Sequence, residues 1–397
     1  MSLNVSDRIS NWFSPGLKSA DQIEDEKRQA TKSLSDIVCT QMTPEQNSKA
    51  ERLDAYLSKM KSDRNEAYEA IGDGALTFGK GSETLFHLVA EKGTPDEMRV
   101  LRDHFPEMAS ITDNKGGTLL MAAAKADNSD VITYLLQDVN ADPADKDLNG
   151  WTALIWAALS NAVNAIKSLL NYSSVQRKLN IDETNHDNET AFNVAMKSGS
   201  LNAAALLKAH GAAINIADQN GVTPLMRAVR LREGDQGAEA IALLNPSPDE
   251  LARCDKSKRN ALGHAIADGT VSNMKALLSQ GANPNWAGSG EMTAFGAAID
   301  CSAPDKRAKL DLIIEHSSFD PNIKGAWGNT AVLDATEVQA WDIVERLIAE
   351  KGADPTIQND KQQDLRSRLD ARGTSYDIRE NIFRQIDKFE TDQQARL

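Results

Sequence analysis

Hydrophobic and polar positions repeat at a nearly constant interval through the middle of the chain. Eight segments share a Thr, once replaced by Asn, with an apolar residue two positions later. Three positions after that residue stands Ala, except in the first segment, which has Val89. We call the position of the Thr or Asn the cap position; it is filled by Thr84, Thr118, Thr152, Thr190, Thr223, Asn260, Thr293 and Thr330. Successive cap positions lie 33 to 38 residues apart. Such a spacing is typical of small structural repeats and not of separate domains.

The fifth copy shows most clearly what each repeat should form. Residues 218–221 have the composition of a tight turn, Thr223 can cap a helix, and Pro224 suits the first turn of that helix. A second segment with helical apolar spacing follows in each copy, and it often ends at a Gly, as at Gly281 and Gly352. The pattern therefore predicts a helix, a turn, a second helix and a hairpin in every repeat.

This copy resembles the ankyrin repeat family. The family pattern Asp-x-x-Gly-x-Thr-Pro-Leu-His-x-Ala is matched at Asp218, Gly221, Thr223, Pro224, Leu225 and Ala228. The other copies match it in part, and the sixth copy departs from it because Gly263 takes the His position and His264 follows one residue late. The resemblance implies an all-α ankyrin-repeat solenoid of about eight helix-turn-helix-hairpin units. These units begin near residues 81, 115, 149, 187, 220, 257, 290 and 327.

Helical segments precede and follow the array, which covers about residues 81–360. Apolar residues at helical spacing predict one helix between Ile23 and Val38 and a long second helix from Leu53 to Gly72. One or two further helices are predicted after the array. Because terminal repeats expose an apolar face, we expect residues 1–80 and 361–397 to be helical caps. A separate partner-binding or targeting role for these ends is the alternative.

Charge and composition narrow the classes of partner. The 397 residues carry a formal net charge of -14, most of it in the array, and this charge repels phosphate backbones. We therefore expect no nucleic-acid partner. Without a long apolar run or a signal-like start, we expect no membrane contact and a cytoplasmic location. The three cysteines are widely spaced and form no CxxC pair, which fits a reducing compartment. We also expect a monomer.

The sequence contains no recognisable catalytic or metal-binding motif. Gly74 to Gly81 comes close to a phosphate-binding loop, but the residue after Lys80 is Gly and not Ser or Thr. The six His residues lack metal-ligand spacing. We therefore predict a protein that is not an enzyme and has no cofactor, no metal and no catalytic residue. The alternative is an enzyme that uses the array as a substrate dock, with its chemistry in the N-terminal extension or an insertion.

The resemblance also indicates where a partner would bind. In the ankyrin family the hairpin tips and the exposed end of the first helix, on the concave face, carry specificity. The side chains at those positions predict these partner-binding residues: Leu148, Asn149, Trp151, Leu159, Val222, Arg230, Leu231, Met292, Trp327 and Asn329. Trp and Arg are frequent anchors of protein interfaces. In an acidic surround they favour a protein partner with a basic or neutral segment.

Trp151 and Trp327 fit either a partner contact or burial against the neighbouring hairpin, and Trp156 fits core and groove equally.

The degenerate repeats and helical ends also resemble those of ankyrin effectors that intracellular bacteria deliver into host cells. A bacterial effector secreted into a host cytosol is therefore the narrower form of the interaction hypothesis, beside a scaffold or an inhibitor.

Overall fold

The computed structural model describes residues 20–39, 49–63, 66–72, 77–78, 83–176, 179–288, 292–371 and 375–394. The contacts divide the chain into two compact units. The first unit consists of residues up to 186 together with 209–212, and the second consists of residues 187–208 and those from 213 onwards. Each unit is described below by itself.

Within the described residues, the regular secondary structure of the first unit is helical apart from one short antiparallel strand pair. Its N-terminal segment contains α1 (Ala20–Cys39), α2 (Lys49–Ser62), α3 (Glu66–Gly72), β1 (Thr77–Phe78) and β2 (Glu83–Thr84). Its repeats contain α4 (Leu85–Lys92), α5 (Pro95–His104), α6 (Leu119–Lys125), α7 (Ser129–Gln137), α8 (Ala153–Leu159) and α9 (Val163–Gln176). A 3-10 turn, Pro106–Ser110, follows α5.

The second unit continues the same alternation of helices. Its repeats contain α10 (Ala191–Ser198), α11 (Leu201–Ala209), α12 (Pro224–Ala228), α13 (Gln236–Leu244), α15 (Ala261–Asp268), α16 (Val271–Ser279), α17 (Ala294–Asp300), α18 (Lys306–Ile314), α19 (Ala331–Glu337) and α20 (Trp341–Lys351). A short helix α14 (Pro248–Ala252) precedes the sixth repeat, and a 3-10 turn, Ala326–Gly328, precedes α19. The chain closes with α21 (Leu365–Ala371) and α22 (Tyr376–Gln394).

Helix capping explains why the repeats begin where they do. The first helix of each of the eight pairs in the described residues starts one residue after a cap position. The Thr152 and Thr190 hydroxyls accept a backbone N–H three residues on, at 3.3 and 3.2 Å, and the amide oxygen of Asn260 does the same at 3.0 Å. The predicted fold class, an all-α ankyrin-repeat solenoid with helical extensions, is confirmed.

Polar side chains join successive repeats through the ends of their helices. A side chain near the start of a second helix donates to carbonyl oxygens at the end of the preceding repeat's first helix. Asn128 does this in the first unit, and Asn273 and Lys309 do it in the second, at 2.8 to 3.1 Å. Carbonyls at a helix end have no partner within their own helix. These bonds therefore tie these three repeats to the ones before them.

The described helices at each end pack on the neighbouring repeat. In the first unit α1 contacts α3 and α4, while α2 contacts α5; in the second, α21 contacts α19 and α22 contacts α20. The long helix predicted up to Gly72 is instead two helices, α2 and α3. The physical reason is packing, because α3 contacts both α2 and α1 whereas α2 lies on α5.

Packing against the next hairpin explains the unusual sixth repeat. A Cβ atom at Gly263 would lie 2.5 Å from the ring of Trp286. This indole occupies the space beside α15 that a side chain at the family's His position would need. His264 instead points to its own hairpin, where its Nε2 lies 2.9 Å from Oδ2 of Asp255. The missing His is thus replaced by an indole from the following repeat.

We expect Gly263→Ala to lower the free energy of unfolding by about 1–2 kcal/mol, because the added methyl group displaces Trp286. This loss should outweigh the gain in helix propensity that Ala brings. Urea denaturation followed by circular dichroism measures it. In a Trp286→Ala background the same substitution should cost nothing, and an equal cost in both backgrounds would contradict this packing account.

Candidate functional site

The first unit presents apolar side chains at its third repeat. Leu148 lies at the hairpin tip with 70% of its surface exposed, next to the exposed Asn149. Leu159, at the end of α8, is 37% exposed. Trp151 is half-buried and its ring centroid lies 4.8 Å from that of Trp156. The first unit therefore holds four of the predicted partner-binding residues, all within one repeat.

In the second unit, Trp327 is the most exposed of the predicted residues. It lies in the hairpin before α19 with 73% of its surface exposed. Arg230 is exposed and its Nε lies 3.3 Å from a carboxylate oxygen of Asp268. Three further predicted residues are half-buried: Val222, Leu231 and Met292.

The structure places Asn329 inside the fold and not on a binding surface. It is 6% exposed. Its amide donates to Oδ1 of Asp334 at 3.0 Å, and its carbonyl oxygen accepts from Asn359 at 3.0 Å. The segment after the eighth repeat supplies Asn359 and thereby covers this position. Asn329 is for this reason left out of the surface proposed below.

Trp327 combines exposure with an unfavourable backbone conformation. Its φ and ψ are 61° and 19°, a left-handed region that suits Gly and Asn and is rare for bulky residues. The neighbouring hairpin backbone holds it there, since the amide of Asp360 donates to the Trp327 carbonyl at 3.0 Å. The fold thus keeps a large apolar side chain at a hairpin tip where a smaller residue would fit with less strain.

A groove lies beside α4, α6 and α8 of the first unit, and we call it the acidic groove. The space within it that water could enter is about 100 Å³. Four carboxylates line it, together with two lysines and one indole: Glu83, Glu91, Asp113, Asp147, Lys115, Lys125 and Trp156. The indole N–H of Trp156 donates to Oδ2 of Asp147 at 3.2 Å. Trp156 therefore lines the groove from a half-buried position.

Electrostatics in the acidic groove reflect burial and an excess of negative charge. Burial and the neighbouring carboxylate of Glu83 raise the pKa of Glu91, against the effect of Lys125, whose ammonium lies 3.8 Å away. Burial lowers the pKa of His87. The His87 ring nitrogens lie 2.9 Å from the Thr84 hydroxyl and 2.9 Å from the Gly117 carbonyl, so this His joins two repeats.

Sequence reasoning did not single out Glu83, Asp113 or Ala122, which shape the acidic groove. A signal was present, because Ala122 is a small residue four positions after its cap position, where Trp156, Arg227 and His264 stand in other repeats.

Among the described residues, no group of three or more His, Cys, Asp or Glu side chains could hold a metal ion. The loop-like segment Gly74–Gly81 lies mostly outside the residues that the structure describes.

Within the described ranges, no helix combines the length and the apolar character needed to cross a bilayer.

The capped helix pairs and their hairpins are similar to ankyrin repeats. The family model described as ankyrin repeats (3 copies) matches residues 86–178 and 171–244. This part of the chain therefore consists of ankyrin repeats. They are typically not catalytic.

Curated relatives share the repeats over a limited length. The chain is 31% identical over 181 residues to the ankyrin repeat protein nuc-2 of Neurospora crassa, covering 45% of this chain and 16% of that protein. It is 28% identical over 196 residues to the putative palmitoyltransferase ZDHHC13 of Danio rerio, covering 48% and 29%. The chain thus spans less than a third of either relative. Among solved structures, the human ASB11 ankyrin repeat domain matches with a TM-score of 0.47 and 19% identity, covering 57% of this chain and 96% of that chain.

Proposed function

We propose that the chain is a non-catalytic protein-protein interaction module that holds its partner at exposed hairpin tips. Ankyrin repeats support an interaction role in general, because a stacked array offers an extended surface whose tips are not needed for folding. The observation that carries the proposal for this chain is the exposed Trp327 in a left-handed conformation. In the first unit, the exposed Leu148 and Leu159 support it.

The cost of Trp327 argues for a function in binding. A bulky residue with positive φ is strained, and an exposed indole lowers solubility. Neither cost is offset by burial within the fold, since 73% of the side chain is exposed. Trp is among the residues that contribute most to protein interfaces. A partner that covers Trp327 would bury this exposed area, and the burial would contribute to the free energy of binding.

The acidic character of the chain favours a partner with a basic segment over a neutral one. We further propose that the chain acts in the cytoplasm as a monomer. A bacterial effector acting in a host cell is a narrower proposal, and it is supported by the resemblance of the degenerate repeats and helical ends to such effectors.

We expect Trp327→Asn to reduce capture of the partner at least about tenfold, since a central Trp contributes about 2 kcal/mol or more to an interface. The melting temperature should not fall, because Asn tolerates positive φ. Affinity purification with quantitative mass spectrometry, from the cells that express the protein or their host, measures this. Tyr376→Ala, which removes another exposed aromatic side chain of the second unit, 70% exposed on α22, is the matched control. Unchanged capture by Trp327→Asn, or equal loss in the control, would refute the proposed surface.

A further inference from the structure

Four hairpins of the array use an aspartate in the same way. The residue five positions before the cap position accepts hairpin backbone N–H groups through Oδ1, at 2.6 to 3.0 Å. These residues are Asp113, Asp147, Asp218 and Asp255. Because Oδ1 is committed to the hairpin, Oδ2 is the oxygen left for a partner from the adjoining first helix.

In three of these repeats the first helix supplies that partner. The donor always stands four positions after the cap position. Trp156 donates to Asp147 at 3.2 Å, His264 Nε2 lies 2.9 Å from Asp255, and Arg227 pairs with Asp218. Three different side chains therefore perform one task, which is to bring an N–H group to the second carboxylate oxygen.

The second repeat lacks this donor. Ala122 stands four positions after Thr118, and its methyl group cannot reach Asp113. Within the described part of the chain, no side chain is found donating to Asp113, and the acidic groove opens at this place. The groove is thus the space that a Trp, His or Arg side chain fills in the other three repeats.

The fifth repeat shows what a filled site looks like when the donor is Arg. The Arg227 guanidinium bridges Asp218 and Glu189, the latter at 3.2 Å. Both carboxylates have side chains only 3% exposed, and that of Arg227 is 17% exposed. Glu189 also pairs with Lys197 at 2.8 Å. A guanidinium held between two buried carboxylates is therefore an element that this fold already contains.

The acidic groove repeats both carboxylates of that clamp. Glu83 precedes the cap position Thr84 directly, as Glu189 precedes Thr190, and Asp113 corresponds to Asp218. Ala122 stands where the guanidinium would be. Seven positions after the cap position, Glu91 replaces the counterpart of Lys197, so the groove gains a negative charge where the filled site has a positive one.

We infer that the acidic groove binds an arginine side chain of the partner protein, with its guanidinium bridging Glu83 and Asp113. This inference rests on the proposed function and names the chemistry of the segment it recognises. Arg is favoured over Lys because its planar, forked N–H groups reach two carboxylates at once. The Trp156 ring offers a face for the cation, as Lys125 already shows with its ammonium 5.9 Å from the ring centroid.

Charge in the groove supports a cationic ligand. The pKa of Glu91 is raised by burial and by Glu83, so these carboxylates carry mutual repulsion that an arriving guanidinium would relieve. Lys125 offsets part of this repulsion by pairing with Glu91, but 48% of its side chain is exposed. An arginine reaching Glu83 and Asp113 would add a third positive charge to the two lysines that face four carboxylates in the groove.

The first experiment builds the clamp within the chain. Ala122→Arg should place a guanidinium between Glu83 and Asp113 and raise the melting temperature by about 2–4 °C. Ala122→Gln, which adds similar bulk without the charge, is the control and should bring no rise. No rise with Arg, or a rise with Gln as large as the rise with Arg, would overturn the assignment of the groove as a guanidinium site.

The second experiment supplies the arginine from outside. The probe is acetyl-Gly-Gly-Arg-Gly-Gly-amide, with citrulline and lysine versions for comparison, titrated against the full chain by calorimetry. We expect the arginine peptide to bind at least about tenfold more tightly than the citrulline peptide, and Glu83→Gln or Ala122→Arg to abolish the preference. Equal binding of the two peptides, or a preference that survives Ala122→Arg, would overturn the inference.

The two proposals fail in distinguishable ways. If a captured partner is lost with Trp327→Asn but fully retained by Ala122→Arg, the arginine inference is wrong and the proposed function stands. If the arginine peptide binds selectively and no protein depends on Trp327, the surface proposal is wrong and the groove assignment stands.

Discussion

Replacing Lys309 with Met is expected to lower the free energy of unfolding by about 3 kcal/mol. The Lys309 side chain is 1% exposed, and its ammonium group donates to the carbonyls of Ile266 and Gly269 at 3.0 and 2.9 Å. It also lies 3.2 Å from Oδ1 of Asp305. Met keeps the length of the side chain but leaves two buried carbonyls and one carboxylate without their partner.

Guanidinium chloride denaturation followed by circular dichroism at pH 7 measures this loss. The control is Lys306→Met, which changes the charge of the same helix α18 by the same amount at a half-buried position. It should cost less than about 0.5 kcal/mol. If both variants lose the same amount of unfolding free energy, the effect comes from net charge. The hydrogen bonds of Lys309 to the helix end would then make no specific contribution to stability.

Asp334→Asn is expected to stabilise the protein at pH 7 by about 2–3 kcal/mol. Burial raises the pKa of Asp334 to about 6; the negative charge of Asp300 adds to this, while the hydrogen bond from Asn329 and the charge of Arg368 oppose it. The folded protein therefore binds this proton more tightly than the unfolded chain, whose pKa is near 3.8. Ionising a buried carboxyl group is what destabilises the fold at neutral pH.

The sign of the pH dependence follows from the raised pKa. The contribution of Asp334 to stability is fully present below about pH 4 and is lost as the pH rises through about 6. Wild type and Asp334→Asn should therefore have equal stability near pH 4 and diverge between pH 4 and 7. Denaturation curves across this range measure the difference. A difference that does not vary with pH, or a wild type that is more stable at pH 7, would contradict this account.

The eight helix pairs could be predicted from sequence because their determinants are local. A cap at Thr152 and small residues such as Ala157 act within one helix or between adjacent helices. The sixth repeat could not be predicted in the same way. Its conformation depends on Trp286, which reaches Gly263 from the following hairpin, and on a hydrogen bond that redirects His264 to Asp255.

The candidate site was predictable only where exposure follows from position in the repeat. The structure leaves Leu148 and Trp327 at hairpin tips, as their positions before the cap residues suggest. Asn329 occupies a similar position but is covered by Asn359 and Arg368 from beyond the array. The acidic groove was not predicted because it is an empty space between side chains and not a motif of residues. Carboxylates from three repeats and the small side chain of Ala122 form it together.

Site-specific photo-crosslinking tests the proposed interaction surface most directly. The photoreactive amino acid p-benzoylphenylalanine replaces Leu148 or Trp327 at the tips and, in a third protein, Tyr376 on α22. We predict that both tip positions crosslink to one and the same protein and that position 376 does not. Crosslinking confined to position 376, or none at either tip under conditions where the partner is captured, would contradict the claim that this chain binds proteins through its hairpin tips.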